Sequence, residues 1–270
     1  MILPDWRVHA GSGPHLLLVH GFLSSRSQWL LNLEALAEGC TPVTVELFGH
    51  SHSPSPEDPD CYHPDYYLRA FEAIRQELGV ERWFLLGYSM GAGLTLRYAF
   101  NYPDRTIGHL FTNSTSGLAD RAKKAELRES SAKSAARIRE GGQAAMARIP
   151  VHPRHGWRLP KAVREALVKD AARHDPAGVA NTIGITIPAV SERDRLAANR
   201  RPACLIWGTK EKRFVGMAAY ARSNMPLLTI AELDAGHGMN MEDAPGFNEV
   251  VLEFLNRCMA DAGRAETADG

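Results

Sequence analysis

The stretch 83–93 most constrains the fold of this chain, because four apolar residues run directly into a Gly-x-Ser-x-Gly pentapeptide at 87–91. An Ala- and Leu-rich segment of helical composition, 92–101, follows at once. This order predicts a strand, a sharp turn and a helix, with Ser89 at the apex of the turn. The flanking glycines leave room for neighbouring backbone. The geometry predicts a serine hydroxyl beyond the end of a sheet, and a Met90 N–H directed toward a developing oxyanion.

Short apolar runs and helical periodicities alternate along the rest of the chain. The runs predict strands at 6–9, 15–19, 41–47, 83–86, 107–113, 203–207 and 226–233. Apolar residues at three- and four-residue spacing, or helical composition, predict helices at 27–38, 66–78, 92–101, 215–223 and 244–259. Such alternation favours the α/β class, a mostly parallel twisted sheet with helices on both faces.

The middle of the chain differs in composition. Ala, Arg, Lys and Glu dominate 119–200, which predicts several helices and no strand. We therefore predict a core made of 1–113 and 201–260, a helical cap at 114–200 and a disordered tail at 261–270. The stretch 119–200 holds 17 Lys and Arg against 9 Asp and Glu, a net charge of +8. Two interpretations stay open: solvated amphipathic helices, or a positively charged lid that draws in an anionic substrate.

Composition excludes several classes of function. A formal net charge of zero argues against nucleic acid or an anionic membrane as a partner. The N-terminus lacks the basic and apolar regions of a signal peptide, and no apolar run approaches the roughly 18 residues that span a bilayer. The four cysteines are widely spaced, which argues against a zinc site or a disulfide framework. We predict a cytoplasmic protein with a small-molecule substrate and no metal or cofactor; the oligomeric state stays open.

A catalytic serine needs a base, an acid that orients the base, and donors for the oxyanion. His237 is the candidate base, because it lies in a Gly-His-Gly loop after the last predicted strand. Glu211 is the candidate acid, three residues past the glycine that follows the penultimate strand. Asp234 precedes His237 by only three residues and is too close in the chain to orient it, and Asp120 is a weaker substitute.

The loop after the first buried strand supplies the second predicted oxyanion donor. We predict the N–H of Phe22 in this role, with Leu23 as the next candidate. His20 is interpreted as a brace for that loop, and His50 and His52 as polar loop residues near the pocket mouth. An apolar substrate pocket is predicted from Phe22, Leu23, Tyr88, Trp157 and Met239.

Four motifs together resemble the α/β-hydrolase superfamily: His-Gly-Phe at 20–22, Phe-Gly-His-Ser-His-Ser at 48–53, Gly-Tyr-Ser-Met-Gly at 87–91 and Gly-His at 236–237. The resemblance covers residues from about 8 to 258. It implies the α/β-hydrolase fold and a cofactor-free hydrolase that works through an acyl-enzyme. The usual acid at the Glu211 position of this family is aspartate, although glutamate occurs in some members.

Within that superfamily, the motifs at 20–23, 87–91 and 211–214 are similar to the menaquinone-pathway synthase subgroup. The same triad there starts an elimination by removing a proton. That subgroup typically has an arginine four residues after the serine, where this chain has Gly93, with Arg97 one turn further on. The basic cap would suit a polyanionic substrate, but Gly93 argues against that activity.

Three hypotheses follow. The leading one is a serine hydrolase that cleaves a small to medium carboxylic ester, thioester or lactone. The second is a C–C bond hydrolase or lyase that acts on an anionic substrate held by cap arginines. The third is a ligand receptor that keeps the fold and the triad but acts by closure of the cap. Turnover of simple nitrophenyl esters separates the first two, and tight binding without turnover marks the third.

Overall fold

A computed structural model describes residues 1–268 and contains a seven-stranded sheet. The strand order is β1-β3-β2-β4-β5-β6-β7. Only β1 runs antiparallel to its neighbour, and every other pair is parallel. The strands are β1 (Asp5–Val8), β2 (His15–Val19), β3 (Thr41–Glu46), β4 (Trp83–Gly87), β5 (Thr106–Thr112), β6 (Ala203–Gly208) and β7 (Leu228–Leu233). This sheet confirms the predicted α/β class.

The central strands read as unbroken apolar runs because both faces of the sheet are covered. Side chains alternate between the faces, so Leu16 and Leu18 join one apolar cluster while Leu17 and Val19 join another. All four are fully buried. The ends of the parallel strands consequently meet at one edge of the sheet, where the loops that follow β2, β4, β5, β6 and β7 lie close together.

The helices are α1 (Leu33–Leu36), α2 (Pro64–Glu77), α3 (Met90–Asn101), α4 (Arg121–Met146), α5 (Lys161–Ala171), α6 (Pro176–Asn181), α7 (Ile187–Ala189), α8 (Val215–Asn224), α9 (Met239–Glu242) and α10 (Ala244–Ala268). The single helix predicted at 27–38 is wrong. A 3-10 turn at Arg26–Trp29 and the short α1 replace it. The break falls at Asn32, whose buried side chain donates to the Asn240 carbonyl and to Asn248.

Residues 114–200, which we call the cap segment, contain α4 to α7 together with 3-10 and π-helical turns. The helix α4 changes direction at Gly142, where φ is 54°. The cap segment bonds to loops of the sheet: Asp170 accepts from the hydroxyls of Ser25 (2.7 Å) and Ser27 (2.6 Å).

The predicted tail at 261–270 is helical as far as Ala268, and 269–270 lie outside the described residues. None of the helices in the described range 1–268 combines the length and the hydropathy that a membrane span requires. The four cysteines are buried and free.

Candidate active site

Ser89 lies in the tight turn between the last residue of β4, Gly87, and the first residue of α3, Met90. Its φ of 53° and ψ of −117° fall in a region that is costly for a residue with a side chain. A Cβ on Gly87 would lie 2.4 Å from the carbonyl oxygen of Gly91, and a Cβ on Gly91 would lie 2.4 Å from that of Val19. Both positions therefore require glycine, as the sequence predicts, and the turn projects the serine past the strand.

His237 follows β7 and faces the serine. Its Nε2 lies 3.0 Å from the Oγ of Ser89, at hydrogen-bond distance. The carboxylate of Glu242 accepts from the N–H groups on both sides of the histidine, those of Gly236 (2.8 Å) and Gly238 (3.3 Å). These two hydrogen bonds fix the backbone of the loop, so the imidazole stays directed at Ser89.

Glu211 follows β6 and lies behind the imidazole. Its Oε2 is 2.8 Å from Nδ1 of His237 and accepts a second hydrogen bond, at 2.7 Å, from the amide of Asn113. Burial acts to raise the pKa of the Glu211 carboxyl, but these two donors outweigh it and hold the pKa below its usual value. The alternative acids lie elsewhere: Asp234 forms a surface ion pair, and Asp120 caps α4.

Asn113 is the residue of this site that sequence reasoning missed. Its fully buried amide donates to both Glu211 and the carbonyl of Gly208, and its Oδ1 accepts the N–H of Gly208 at 3.1 Å. From the sequence, Asn113 is only the last residue of a predicted strand. Its position could have identified it, because a polar side chain just past the carboxyl end of β5 lies at the edge where ligands bind in such sheets.

Two backbone N–H groups near the turn are without an acceptor among the described residues, those of Met90 and Phe22. Leu23, the second candidate for the oxyanion loop, is already engaged, because its N–H donates to Nε2 of His50 at 3.2 Å. Of the two predicted choices in this loop, the N–H of Phe22 is therefore the one available to a ligand.

His20 bonds within the same loops, in keeping with its interpretation as a brace. Its Nδ1 lies 2.7 Å from the carbonyl oxygen of Gly21, and its Nε2 accepts the N–H of Leu47 at 3.0 Å. His52 pairs with the buried carboxylate of Glu46 at 2.9 Å. His20 thus ties the loops after β2 and β3 together, whereas the contact of His52 lies within the loop after β3.

A cleft of about 650 Å³ opens at the serine and passes between the sheet edge and the cap segment. Leu23 and Tyr88 line it, as predicted, and Trp157 lies at its rim with 76% of its surface exposed. The prediction for Met239 is wrong, because its side chain is fully buried in the core behind the cleft. Met241, on the same short helix α9, lines the cleft in its place.

The positive charge of the cap segment lies mostly outside this cleft. Of all the lysines and arginines in the described chain, Arg158 is the one that lines it. Others form ion pairs, such as Lys124 with the exposed Asp194 (2.6 Å) and Arg195 with the buried Glu192 (2.9 Å). The cleft wall is therefore predominantly apolar, and solvated amphipathic helices account for most of the cap charge.

The two positions that bear on the synthase resemblance, Gly93 and Arg97, are not among the residues that line the cleft. A Cβ on Gly93 would lie 2.6 Å from the carbonyl oxygen of Val190, so the cap segment packs directly on this glycine. Arg97 is held by Asp65 (2.7 Å) and Glu192 (3.3 Å), where it joins α3 to the cap segment. Neither position supplies a cation to a ligand beside the serine.

Comparison with known families agrees with this architecture. The profile of the alpha/beta hydrolase fold family matches residues 14–244. The match spans most of the chain and includes the serine turn, the acid loop and the histidine loop. The chain is a member of the alpha/beta hydrolase fold family.

Three similar proteins illustrate the range within the family. A putative 2-succinyl-6-hydroxy-2,4-cyclohexadiene-1-carboxylate synthase of Bacillus subtilis (strain 168) is 26% identical over 257 residues, which cover 91% of this chain and 93% of the relative. The structure of MenH from S. aureus superposes with a TM-score of 0.83 at 20% identity, over 94% of this chain and 98% of that one. The enol-lactonase from Burkholderia xenovorans LB400 superposes with a TM-score of 0.78 at 21% identity, over 93% and 96% of the two chains. These two structural likenesses establish the shared fold.

Proposed function

We propose that this protein is a cofactor-free serine hydrolase that cleaves a small to medium carboxylic ester, thioester or lactone through an acyl-enzyme. The observation that carries the proposal is one continuous hydrogen-bond chain. It runs from the Oγ of Ser89 to Nε2 of His237 (3.0 Å), and from Nδ1 of His237 to Glu211 (2.8 Å). A nucleophile, a base and an orienting acid in this order are the elements that acyl transfer requires.

In the acylation step, the Oγ of Ser89 attacks the substrate carbonyl carbon while its proton passes to Nε2 of His237. Glu211 keeps the other ring nitrogen protonated and stabilises the imidazolium that forms. The N–H groups of Phe22 and Met90 bind the oxyanion. When the tetrahedral intermediate collapses, the bond to the alcohol or thiol breaks, and His237 returns its proton to that leaving group.

Deacylation repeats these steps with water. His237 takes a proton from water as the water oxygen attacks the acyl carbon, and the same two N–H groups bind the second oxyanion. The bond to the Oγ of Ser89 then breaks, the serine regains its proton from His237, and the carboxylic acid leaves. The low pKa of Glu211 keeps this carboxyl ionised at neutral pH, so it can orient His237 in both halves of the reaction.

The cleft wall supports the proposed substrate class. A predominantly apolar lining with a single cation, Arg158, suits an uncharged acyl group better than a polyanion. A second candidate, elimination or C–C cleavage on an anionic substrate with the same triad, is favoured by one observation, the Bacillus subtilis relative at 26% identity. The contacts of Gly93 and Arg97 with the cap segment count against it.

A fluorophosphonate probe tests the nucleophile. We expect one covalent adduct on the intact protein and none on Ser89→Ala. Ser116→Ala is the matched control, because Ser116 also lines the cleft, and it should label like wild type. Labelling of Ser89→Ala at the wild-type rate would refute the role of Ser89.

Steady-state turnover separates the two candidate reactions. We expect hydrolysis of p-nitrophenyl esters from acetate to octanoate, with kcat/KM little changed in Arg158→Ala. A protein that ignores these esters but turns over a carboxylated diketone or enol, and loses that activity in Arg158→Ala, would support the second candidate. Tight ligand binding with no turnover of either set would support a receptor.

A further inference from the structure

The proposed oxyanion donor in the loop after β2 lies between two N–H groups that buried side chains already bind. The N–H of Gly21 donates to Oε1 of Gln28 at 3.4 Å, and that of Leu23 donates to Nε2 of His50 at 3.2 Å. Gln28 and His50 are both fully buried. The N–H of Phe22, between them, has no acceptor among the described residues. The pattern leaves one donor free and fixes the peptide groups on each side of it.

The tautomer of His50 is set by its second contact. Its Nδ1 lies 3.0 Å from the carbonyl oxygen of Phe48, which can only accept, so Nδ1 carries the hydrogen. The lone pair is then on Nε2, where Leu23 needs an acceptor. Burial, together with the nearby rings of His174 and His20, lowers the pKa of His50 well below its usual value, so the ring stays neutral. A protonated ring would present a second N–H to Leu23 and lose the bond.

Leu23 depends on this acceptor. Its φ is 54°, a left-handed conformation that a leucine adopts only when its surroundings impose it. Without His50, its N–H would be a buried donor with no partner, and the strained residue would be free to relax. The ring of His50 also meets the ring of Phe22 edge-on, with 6.0 Å between centroids.

The loop that His50 holds runs directly against the nucleophile. A Cβ on Gly21 would lie 3.1 Å from the Cβ of Ser89, so a small shift of this backbone changes where the N–H of Phe22 points relative to the serine. Oxyanion donors must lie at hydrogen-bond distance from the developing charge, and a misplacement of about 1 Å can cost about 100-fold in rate.

We propose that His50 is a positioning residue for the oxyanion site: acting through Leu23, it aims the N–H of Phe22 at the substrate carbonyl without touching the substrate. This inference rests on the proposed function, because it assumes an oxyanion beside Ser89. It also gives a role to the motif at 48–53, in which His50 is otherwise only a polar loop residue.

The test uses two variants of His50, each of which replaces one of the two ring nitrogens with an amide group. His50→Gln keeps an acceptor near the position of Nε2, whereas His50→Asn keeps only a donor near the position of Nδ1. We expect kcat for p-nitrophenyl butyrate to fall about 100-fold in the Asn variant and about threefold or less in the Gln variant, with KM little changed in both. The affinity for a trifluoromethyl ketone, which forms an oxyanion on the serine, should fall in parallel.

The control is His109→Asn, another fully buried histidine, whose Nε2 bonds to Asn199 toward the opposite end of β5. This variant should lose stability without losing activity or ketone affinity. Equal kcat losses in the Gln and Asn variants of His50, or ketone affinity in His50→Asn equal to that of wild type, would overturn the inference.

Amide NMR of the wild-type protein tests the same point without a variant. With phenylalanine and leucine labelled with ¹⁵N, addition of the ketone should shift the Phe22 N–H downfield and leave the Leu23 N–H in place. A shift of Leu23 instead of Phe22 would overturn the inference. Failure of the proposed function itself is distinguishable, because wild type would then form neither the fluorophosphonate adduct nor the ketone adduct.

Discussion

Replacing Asn113 by leucine removes the second donor to the candidate acid while keeping the branched shape of the side chain. Asn113 is fully buried and makes three hydrogen bonds: to Glu211 at 2.7 Å, to the carbonyl of Gly208 at 3.1 Å, and from the N–H of Gly208 at 3.1 Å. Leucine can make none of them. The variant therefore probes whether the ionised state and the position of Glu211 depend on this amide.

The size of the expected effect follows from the negative charge of the Glu211 carboxylate, which accepts the hydrogen bond from Asn113. A hydrogen bond to an ionised group contributes about 1.5–3 kcal/mol. Asn113 favours the ionised carboxylate, so its loss raises the pKa of Glu211. The N–H of Gly208 loses its acceptor, which should lower the free energy of unfolding by about 1–3 kcal/mol, whereas the carbonyl of Gly208 keeps the N–H of Glu211 at 3.2 Å.

The assay is kcat/KM for a nitrophenyl ester between pH 5 and pH 9, with urea unfolding measured in parallel. We expect kcat at pH 8 to fall about tenfold because Glu211 loses part of its orientation, and the loss to grow toward pH 5 because a carboxyl with a raised pKa becomes protonated there. Asn199→Leu is the matched control, since Asn199 is buried and bonds to main-chain groups near the start of β6. Identical pH profiles for the two variants would refute the reasoning.

Three further changes have defined outcomes. Glu211→Gln should lower kcat about 10⁴-fold in steady-state assays with little change in KM, because an amide no longer fixes the tautomer of His237. Glu46 is fully buried, and although burial alone would raise its pKa, hydrogen bonds from Arg26 hold it at about 2. Its folded pKa lies below the unfolded value, so it contributes about 3 kcal/mol that is present above about pH 5 and is lost as the pH falls toward 2; urea titrations should show a shallower acid loss in Glu46→Gln. Gly93→Arg should lower the thermal midpoint and confer no synthase activity, because even a Cβ there meets the carbonyl of Val190 at 2.6 Å.

The local sequence was sufficient to predict the positions of residues that both the backbone geometry and the proposed chemistry constrain. The turn at Ser89 needs glycine at fixed neighbours. The proposed acid and base each follow a strand, so parallel topology alone brings Glu211 and His237 to the same edge. The residues that contact this site from behind could not be predicted in the same way. Asn113 and His50 form hydrogen bonds with residues far away in the chain, and a polar residue in a loop carries no local sign of its partner.

The errors have equally physical causes. Met239 and Met241 are two residues apart on a helix of only four residues, too short for periodicity to reveal which side faces the cleft. The helix predicted at 27–38 is interrupted because tertiary contacts of Asn32 override its apolar periodicity. For the cap segment, composition gives the net charge of +8 but not the direction of each side chain, and one cation lines the cleft.

The anchors of the cap segment bear on how this protein could be engineered. Asp170 holds the hydroxyls of Ser25 and Ser27, and His174 accepts the N–H of Ser51 at 2.9 Å. These anchor points belong to the same two loops that present Phe22 and His50. A chimera that exchanges the whole of 114–200 would remove every one of these anchors at once, and would disturb the two loops as well as the cleft. Point substitutions on the inner wall of the cap are the route that leaves those loops intact.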